Sequence, residues 1–307
     1  MPAETVFLVN PASANGKTGK QWPEIARAAH EAGLRGEAIF SEQPGQLGDL
    51  AREAVDEGAT LLVVVGGDGT VHEVVQGVAG REGVELALIP RGTGWDFART
   101  HGITKDLDAA LRTARDGAAR PFDLGRASYA VDGVQESAWF ANMASVGMSG
   151  AVAAKANSTT KALGAKTSYL MALGIVFARW KNVSLRVRVD AEQRDALMED
   201  AIVAVGRYLA GGMMITPDAE PDDGLFDVLL IGDLTKAEMV RVMPKVFRGT
   251  HLPHPKGEVL RGAAVEIQAD EPLPLQLDGE QPGTTPVRFE IVPAAIRLRV
   301  PVSRAAT

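Results

Sequence analysis

Residues Gly66-Gly67-Asp68-Gly69-Thr70 set three glycines around one carboxylate, directly after the apolar run Leu61–Val65. Glycine lets backbone approach an anion closely, and the free N–H groups that open a helix point at it. The residues that follow supply such a helix, because Val71, Val74, Val75 and Val78 recur at i, i+3, i+4 and i+7. The segment is a phosphate cradle; the competing reading is an ordinary turn without a ligand. Two other loops follow strand-like runs in the same way: Asn10–Thr18 after Thr5–Val9, and Arg91-Gly92-Thr93-Gly94 after Glu85–Pro90. Four carboxylates are candidates to take a proton: Asp68, Asp96, Asp278 and Glu280. Asp278 and Glu280 flank Gly279, so in an extended strand they share one face.

Several familiar chemistries are excluded by single residues. The Asn10–Thr18 loop ends like a P-loop but carries Pro11 where that pattern needs glycine. No loop completes G-x-G-x-x-G, the dinucleotide fingerprint. His72-Glu73 opens an H-E-x-x-H pattern that closes on Gln76, so a zinc-protease site fails. His251 and His254 flank Pro253 without an acidic partner at ligand spacing, and are expected at the surface.

The elements that must position these loops alternate strand and helix over the first 120 residues. Strands are expected at Thr5–Val9, Arg35–Phe40, Leu61–Val65 and Glu85–Pro90; helices at about Lys20–Ala32, Leu47–Asp56 and Val71–Val78. This rhythm predicts an α/β domain with a parallel sheet, whose ligands bind at the C-terminal strand edge. After Pro121 short β-like runs dominate (Trp139–Ala144, Val183–Val189, Ala201–Val205, Phe226–Ile231, Ala264–Gln268, Leu273–Leu277, Val287–Val292), with helices near Gly150–Leu163, Thr167–Arg179 and Lys236–Phe247. The organisation expected is residues 1–121 as the α/β domain, completed by 294–307, and 122–293 as a mainly antiparallel β domain. Within the second domain, Tyr169–Ala178 is apolar all round, flanked by Lys166, Arg179 and Lys181. Such a helix is buried core, or else it walls an acyl cavity while the cations meet lipid headgroups.

Bulk properties narrow the partners. A chain of 307 residues with net charge −7 has no general attraction for nucleic acid or anionic membrane. It has no cysteine, which excludes disulfides and thiolate metal sites and suits a reducing cytosol. Met1–Glu4 has no leader character, and no apolar run is long enough to span a bilayer. The expected location is therefore the cytoplasm.

Taken in order, Asn10-Pro11, Gly66–Thr70, Arg91-Gly92-Thr93-Gly94-Trp95-Asp96-Phe97-Ala98-Arg99, Pro221–Val228 and Asp278-Gly279-Glu280 resemble the diacylglycerol kinase catalytic family, which includes soluble bacterial lipid kinases and the sphingosine and ceramide kinases. The resemblance implies a two-domain fold of NAD-kinase and diacylglycerol-kinase type with ATP in the cleft and a lipid hydroxyl, most simply that of diacylglycerol, as acceptor at a membrane surface. It implies nucleotide contacts at Asn10, Ser41, Gly66, Gly67, Asp68, Gly69, Thr70, Val71, His72 and Thr93. It places Mg²⁺ on Asp223 with the carbonyls of Glu220 and Leu225, hard oxygen ligands in a tight turn. Glu280 becomes the proton acceptor, Asp278 its support, and Asp68 the organiser of magnesium and phosphate. The sphingosine-kinase branch would instead make Asp68 the base. This chain departs from the family in carrying Trp95 where asparagine is usual, and tryptophan can neither accept a hydrogen bond nor ligate metal. It can stack on a base or wall an acyl pocket. His72, in place of a frequent asparagine, is a polar helix-start residue. Alternatives are a sphingosine- or ceramide-type kinase, a soluble-substrate kinase of NAD-kinase or phosphofructokinase type, and a non-catalytic regulator. The sequence leaves a homodimer open.

Overall fold

Uninterrupted aliphatic strands are stable only when both faces are covered. In the first part of the chain, Leu61–Gly66 is buried throughout and Glu85–Pro90 everywhere but at Glu85. The computed structural model describes residues 4–92, 94–158 and 165–302. The chain divides into two units, Met1–Asp123 with Ala294–Thr307, and Leu124–Pro293. The first contains β1 (Thr5–Val9), α1 (Ser13–Glu31), β2 (Glu37–Phe40), α2 (Leu47–Asp56), β3 (Leu61–Gly66), α3 (Asp68–Val78), β4 (Glu85–Pro90), α4 (Asp96–Thr100) and α5 (Leu107–Asp116).

β1 pairs in parallel with β2 and β3, and β3 with β4. Val9 stands beside Val65, and Gly66 beside Pro90. Asn10, Gly67 and Arg91 therefore leave the sheet at one edge. Phe7, Ile25, Val63, Ile89 and Leu111 belong to the core that fixes this edge. Helix α1 begins at Ser13, earlier than the apolar spacing suggests. Ala14, Asn15 and Gly16 interrupt it with left-handed φ of 53°, 58° and 78°, so regular helical periodicity starts only after them.

β5 (Ala118–Val131) runs from the first unit into the second. The rest of the second unit is β6 (Val134–Phe140), β7 (Met143–Gly147), α6 (Met148–Asn157), α7 (Ala165–Arg179), β8 (Val183–Val189), β9 (Glu192–Ala204), β10 (Tyr208–Leu209), β11 (Met213–Met214), β12 (Phe226–Gly232), α8 (Lys236–Val246), β13 (Gly257–Gly262), β14 (Ala264–Ala269), β15 (Pro274–Leu277) and β16 (Glu280–Val300), whose last residues return to the first unit and pair Leu298 with Leu86. The strands of this unit pair antiparallel. The pairings close a circuit from β9 through β7, β15, β16, β14 and β8 back to β9, and β13 and β6 each pair with one neighbour outside it. Phe140 stacks on Phe226 at 5.8 Å inside it, with Phe289 edge-on.

Three expectations are corrected here. The β5–β6 hairpin turns on Asp132-Gly133, both at positive φ, and most of β6 went unread because it is largely exposed and polar. His251 is not a surface residue. It is 8% exposed, donates Nε2–H to Ile215 O at 3.0 Å, and burial lowers its pKa. The apolar helix α7 is not simply core: Met171 and Ile175 are 46% and 40% exposed.

Two adjacent carboxylates on β9 are buried. Burial raises Glu199 to about 8, with repulsion from Asp200 adding to it, and raises Asp200 to about 7 against a hydrogen bond from Ser149 N–H at 2.9 Å. Asp200 Oδ1 has no hydrogen-bond partner among the described residues. An acid whose folded pKa is raised holds its proton more tightly in the native state, so unfolding becomes easier as pH rises through that window. Thermal stability is therefore expected to fall from pH 5 to pH 8, by about 2–4 °C for each kcal/mol lost. Melting Asp200→Asn across this range checks it: the variant should flatten the profile, and an unchanged slope would refute the assignment.

Candidate active site

The glycine loops are locked together by contacts that admit no side chain. A Cβ on Gly67 would lie 2.8 Å from Gly92 Cα, and one on Gly92 would lie 2.5 Å from Gly67 Cα. Asp68 completes the lock: Oδ2 accepts Trp95 N–H at 2.7 Å and Oδ1 accepts Phe97 N–H at 3.0 Å, capping α4. Gly94 is required beside it, since its Cβ would overlap Asp68 Oδ2.

Helix α3 starts at this junction. Thr70 and Val71 donate their N–H groups to Gly67 O, while those of Asp68 and Gly69 have no intrahelical acceptor, as at any helix start. Asn10 ties in the third loop. Its Oδ1 accepts Ala12 and Ser13 N–H at 3.1 Å, and its Nδ2 donates to Thr70 Oγ1 at 3.3 Å. Ser41 sits at the same strand edge, 8% exposed, with its N–H donated to Val9 O at 3.1 Å. The Val71 side chain is buried and His72 is half-buried on α3. Asn10, Ser41 and Gly66–His72 are thus gathered at one edge of the first unit; Thr93 lies outside the described residues.

Cations gather beside these loops. Arg99 lies 4.4 Å and Lys105 5.1 Å from the centroid of the Trp95 ring, so both contact its π system. Arg99 also pairs with buried Asp96 at 3.0 Å. Burial, and then the Arg99 charge, lower the pKa of Lys105; burial also lowers that of Arg91. Arg91 and Arg99 stand in the Arg91–Arg99 motif, whose spacing alone assigns them no role. Lys105 stands in no motif, and only the fold brings it here. Trp95 itself holds φ 129°, a backbone conformation that favours glycine.

In the second unit, Asp278 and Glu280 do not lie along an extended strand. Asp278 and Gly279 form a tight turn at φ 48° and 100° between β15 and β16. Both oxygens of Asp278 are engaged, accepting the N–H groups of Ala141, Asn142 and Met143 at 2.7–3.0 Å. Glu280 pairs through its backbone with Leu277, and its exposed side chain makes no hydrogen bond or ion pair with a described residue. The turn divides the labour: one carboxylate holds backbone, the other is displayed.

The expected magnesium ligands fit poorly. Asp223 Oδ1 accepts Leu225 N–H at 3.0 Å, and Oδ2 is paired with the Arg261 guanidinium. Arg261 also reaches Asp227 at 3.5 Å from the directly facing position on β13. A guanidinium therefore supplies the positive charge that a metal would bring to Glu220, Asp223 and Leu225. Buried Asp227 Oδ2, which was not in the expected set, is left without a hydrogen-bond partner among the described residues. No group of three or more acidic, histidine or cysteine side chains among the described residues is arranged to hold a metal.

This arrangement belongs to a recognisable class. Residues 4–127 match the diacylglycerol kinase catalytic domain, and residues 142–300 match the YegS C-terminal NAD kinase beta sandwich-like domain. Diacylglycerol kinase of Staphylococcus carnosus is 27% identical over 92% of this chain and 90% of its own length; that of Staphylococcus aureus is 29% identical over 92% and 88%. A solved diacylglycerol kinase structure from Bacillus anthracis shares the fold, with TM-score 0.73 at 19% identity over 99% of this chain and 100% of the other. The chain belongs to the diacylglycerol kinase family, and is a phosphotransferase with an alcohol acceptor.

Proposed function

We propose that the chain transfers the γ-phosphoryl group of ATP to the free hydroxyl of diacylglycerol, giving phosphatidic acid and ADP. The observation that carries this reading is the Asp68 lock, which fixes two glycine loops and a helix start beside Arg91, Arg99 and Lys105. Phosphoryl transfer asks a protein mainly for positioning and charge neutralisation. The loop amides, with Asn10 and Ser41 alongside, hold the triphosphate, with Thr93 as a further nucleotide contact; the cations offset the charge that builds on the departing ADP. Magnesium accompanies the nucleotide as part of the substrate. Glu280 takes the proton of the acceptor hydroxyl as its oxygen bonds to the γ-phosphorus and the bond to the β,γ-bridging oxygen breaks. Asp278 keeps the Glu280 turn in place. The names of the relatives at 27–29% identity support diacylglycerol as the acceptor. The enzyme would work in the cytoplasm, touching the membrane to reach its lipid.

The test is transfer of labelled γ-phosphate, with Mg²⁺, to mixed micelles containing diacylglycerol, sphingosine, ceramide, phosphatidylglycerol or undecaprenol, with NAD alongside. Labelled phosphatidic acid is the expected product. Label in another lipid would replace the acceptor, label in NAD would overturn the lipid reading, and ATP binding without any label would make the chain a regulator.

A further inference from the structure

Helix α8 is poorly covered for its composition. It carries three valines, two methionines and a proline, yet only Met239 is buried. Val240 is 63% exposed, Met243 39%, and Phe247, just past its end, 53%. Phe177 from α7 meets this face, and together they line an open groove of about 350 Å³ that also takes in Pro244. Met171 and Ile175 add exposed apolar surface on α7. Side chains of this size are left in water together only where something else covers them.

The rim identifies the occupant. Arg179 and Lys181 close α7; Arg241, Lys245 and Arg248 stand on or just after α8, all exposed. None of these five cations forms an ion pair with a described residue. Lys236 donates to the Ala178 carbonyl and so joins the ends of the two helices. Glu238 is the acidic side chain of α8, and it is already taken by Lys256 and the Thr235 cap. An apolar face whose two helices carry exposed cations without ion pairs, in a chain whose net charge is −7, is complementary to an anionic bilayer surface.

We propose that the α7–α8 face docks the protein on anionic membrane, with Val240, Met243 and Phe247 entering the interface and Arg179, Arg241, Lys245 and Arg248 meeting lipid phosphates. The inference rests on the lipid-kinase reading for its purpose but not for its geometry. The face shares no residue with the Asp68 lock or the Glu280 turn, so it governs delivery to the membrane and not the transfer step.

Co-sedimentation with vesicles tests it directly. The full chain should bind phosphatidylglycerol-containing vesicles, bind pure phosphatidylcholine vesicles much less, and release from the former as salt rises. Val240→Asp with Phe247→Asp should weaken binding at least about tenfold, since burying one such side chain is worth that much. Arg241→Glu with Lys245→Glu should do the same by charge alone. These residues are exposed, so melting temperatures should hold. Transfer to diacylglycerol dispersed in detergent micelles should also be unchanged in both variants. Equal vesicle binding by wild type and both variants would overturn the docking face while leaving the kinase intact. A concentration-dependent dimer abolished by Val240→Asp/Phe247→Asp without vesicles would also overturn it, by assigning the face to a second copy. Loss of micellar activity in the wild type would instead strike the lipid-kinase reading, whatever the vesicles show.

Discussion

Glu280→Gln is expected to lower kcat about 10²–10⁴-fold while leaving ATP affinity nearly unchanged, the usual range for removing a positioned general base. The substitution keeps the size of the side chain and removes only its ability to take a proton. Because the Glu280 side chain is exposed and makes no hydrogen bond or ion pair with a described residue, the change should leave the fold intact. Asp278→Asn is the informative companion. Its carboxylate accepts three backbone N–H groups from Ala141–Met143, and charged acceptors contribute about 1.5–3 kcal/mol per bond. That variant should lose stability as well as turnover, whereas Glu280→Gln should lose turnover alone. Single-turnover rates, ATP calorimetry and melting curves on both variants separate the two roles. A Glu280→Gln enzyme within a few-fold of wild type would remove Glu280 as the base. It would shift attention to Asp68, whose oxygens are both engaged by backbone.

The parts of this molecule that could be read from sequence are those whose cause is local. The strand Leu61–Val65 and the valine spacing after Thr70 each carry their own signal, and the structure places β3 and α3 on them. Glycine marked the loops because a close approach needs it. What went unread depends on partners distant in sequence. Nothing near Lys105 says that it will lie over Trp95, and nothing near Asp278 names Ala141–Met143 as what it holds. The shared strand face of Asp278 and Glu280 is absent for a related reason: residue 278 adopts positive φ and turns the chain. His251 looked solvated because its loop is polar, but its ring is enclosed by the Ile215 segment. The magnesium expectation could not anticipate an arginine on the facing strand. Side chains that clamp remote backbone thus recur in both units, and clamping leaves almost no trace in spacing.

The same distinction sets the second large effect. Gly67→Ala is expected to reduce kcat/KM for ATP by about a hundredfold or more, the scale associated with a displacement of roughly 1 Å in a positioned group. Gly67 has φ −110°, which any residue can adopt, so the effect is not one of backbone strain. It comes from the new methyl meeting Gly92 Cα at 2.8 Å, where backbone faces backbone and neither can turn aside. The two loops must part, and the Asp68 bonds to Trp95 and Phe97 N–H are the contacts that stretch. Gly69→Ala supplies the control two residues away. Its Cβ meets nothing within 4 Å, and alanine favours the helix by about 0.8–1.0 kcal/mol over glycine in interior positions, so the fold should be as stable or more so. Melting curves measured on both variants should then diverge sharply. If Gly67→Ala binds and turns over ATP like the wild type, the loops are not held by this contact. The lock would then have to rest on the Asp68 carboxylate alone.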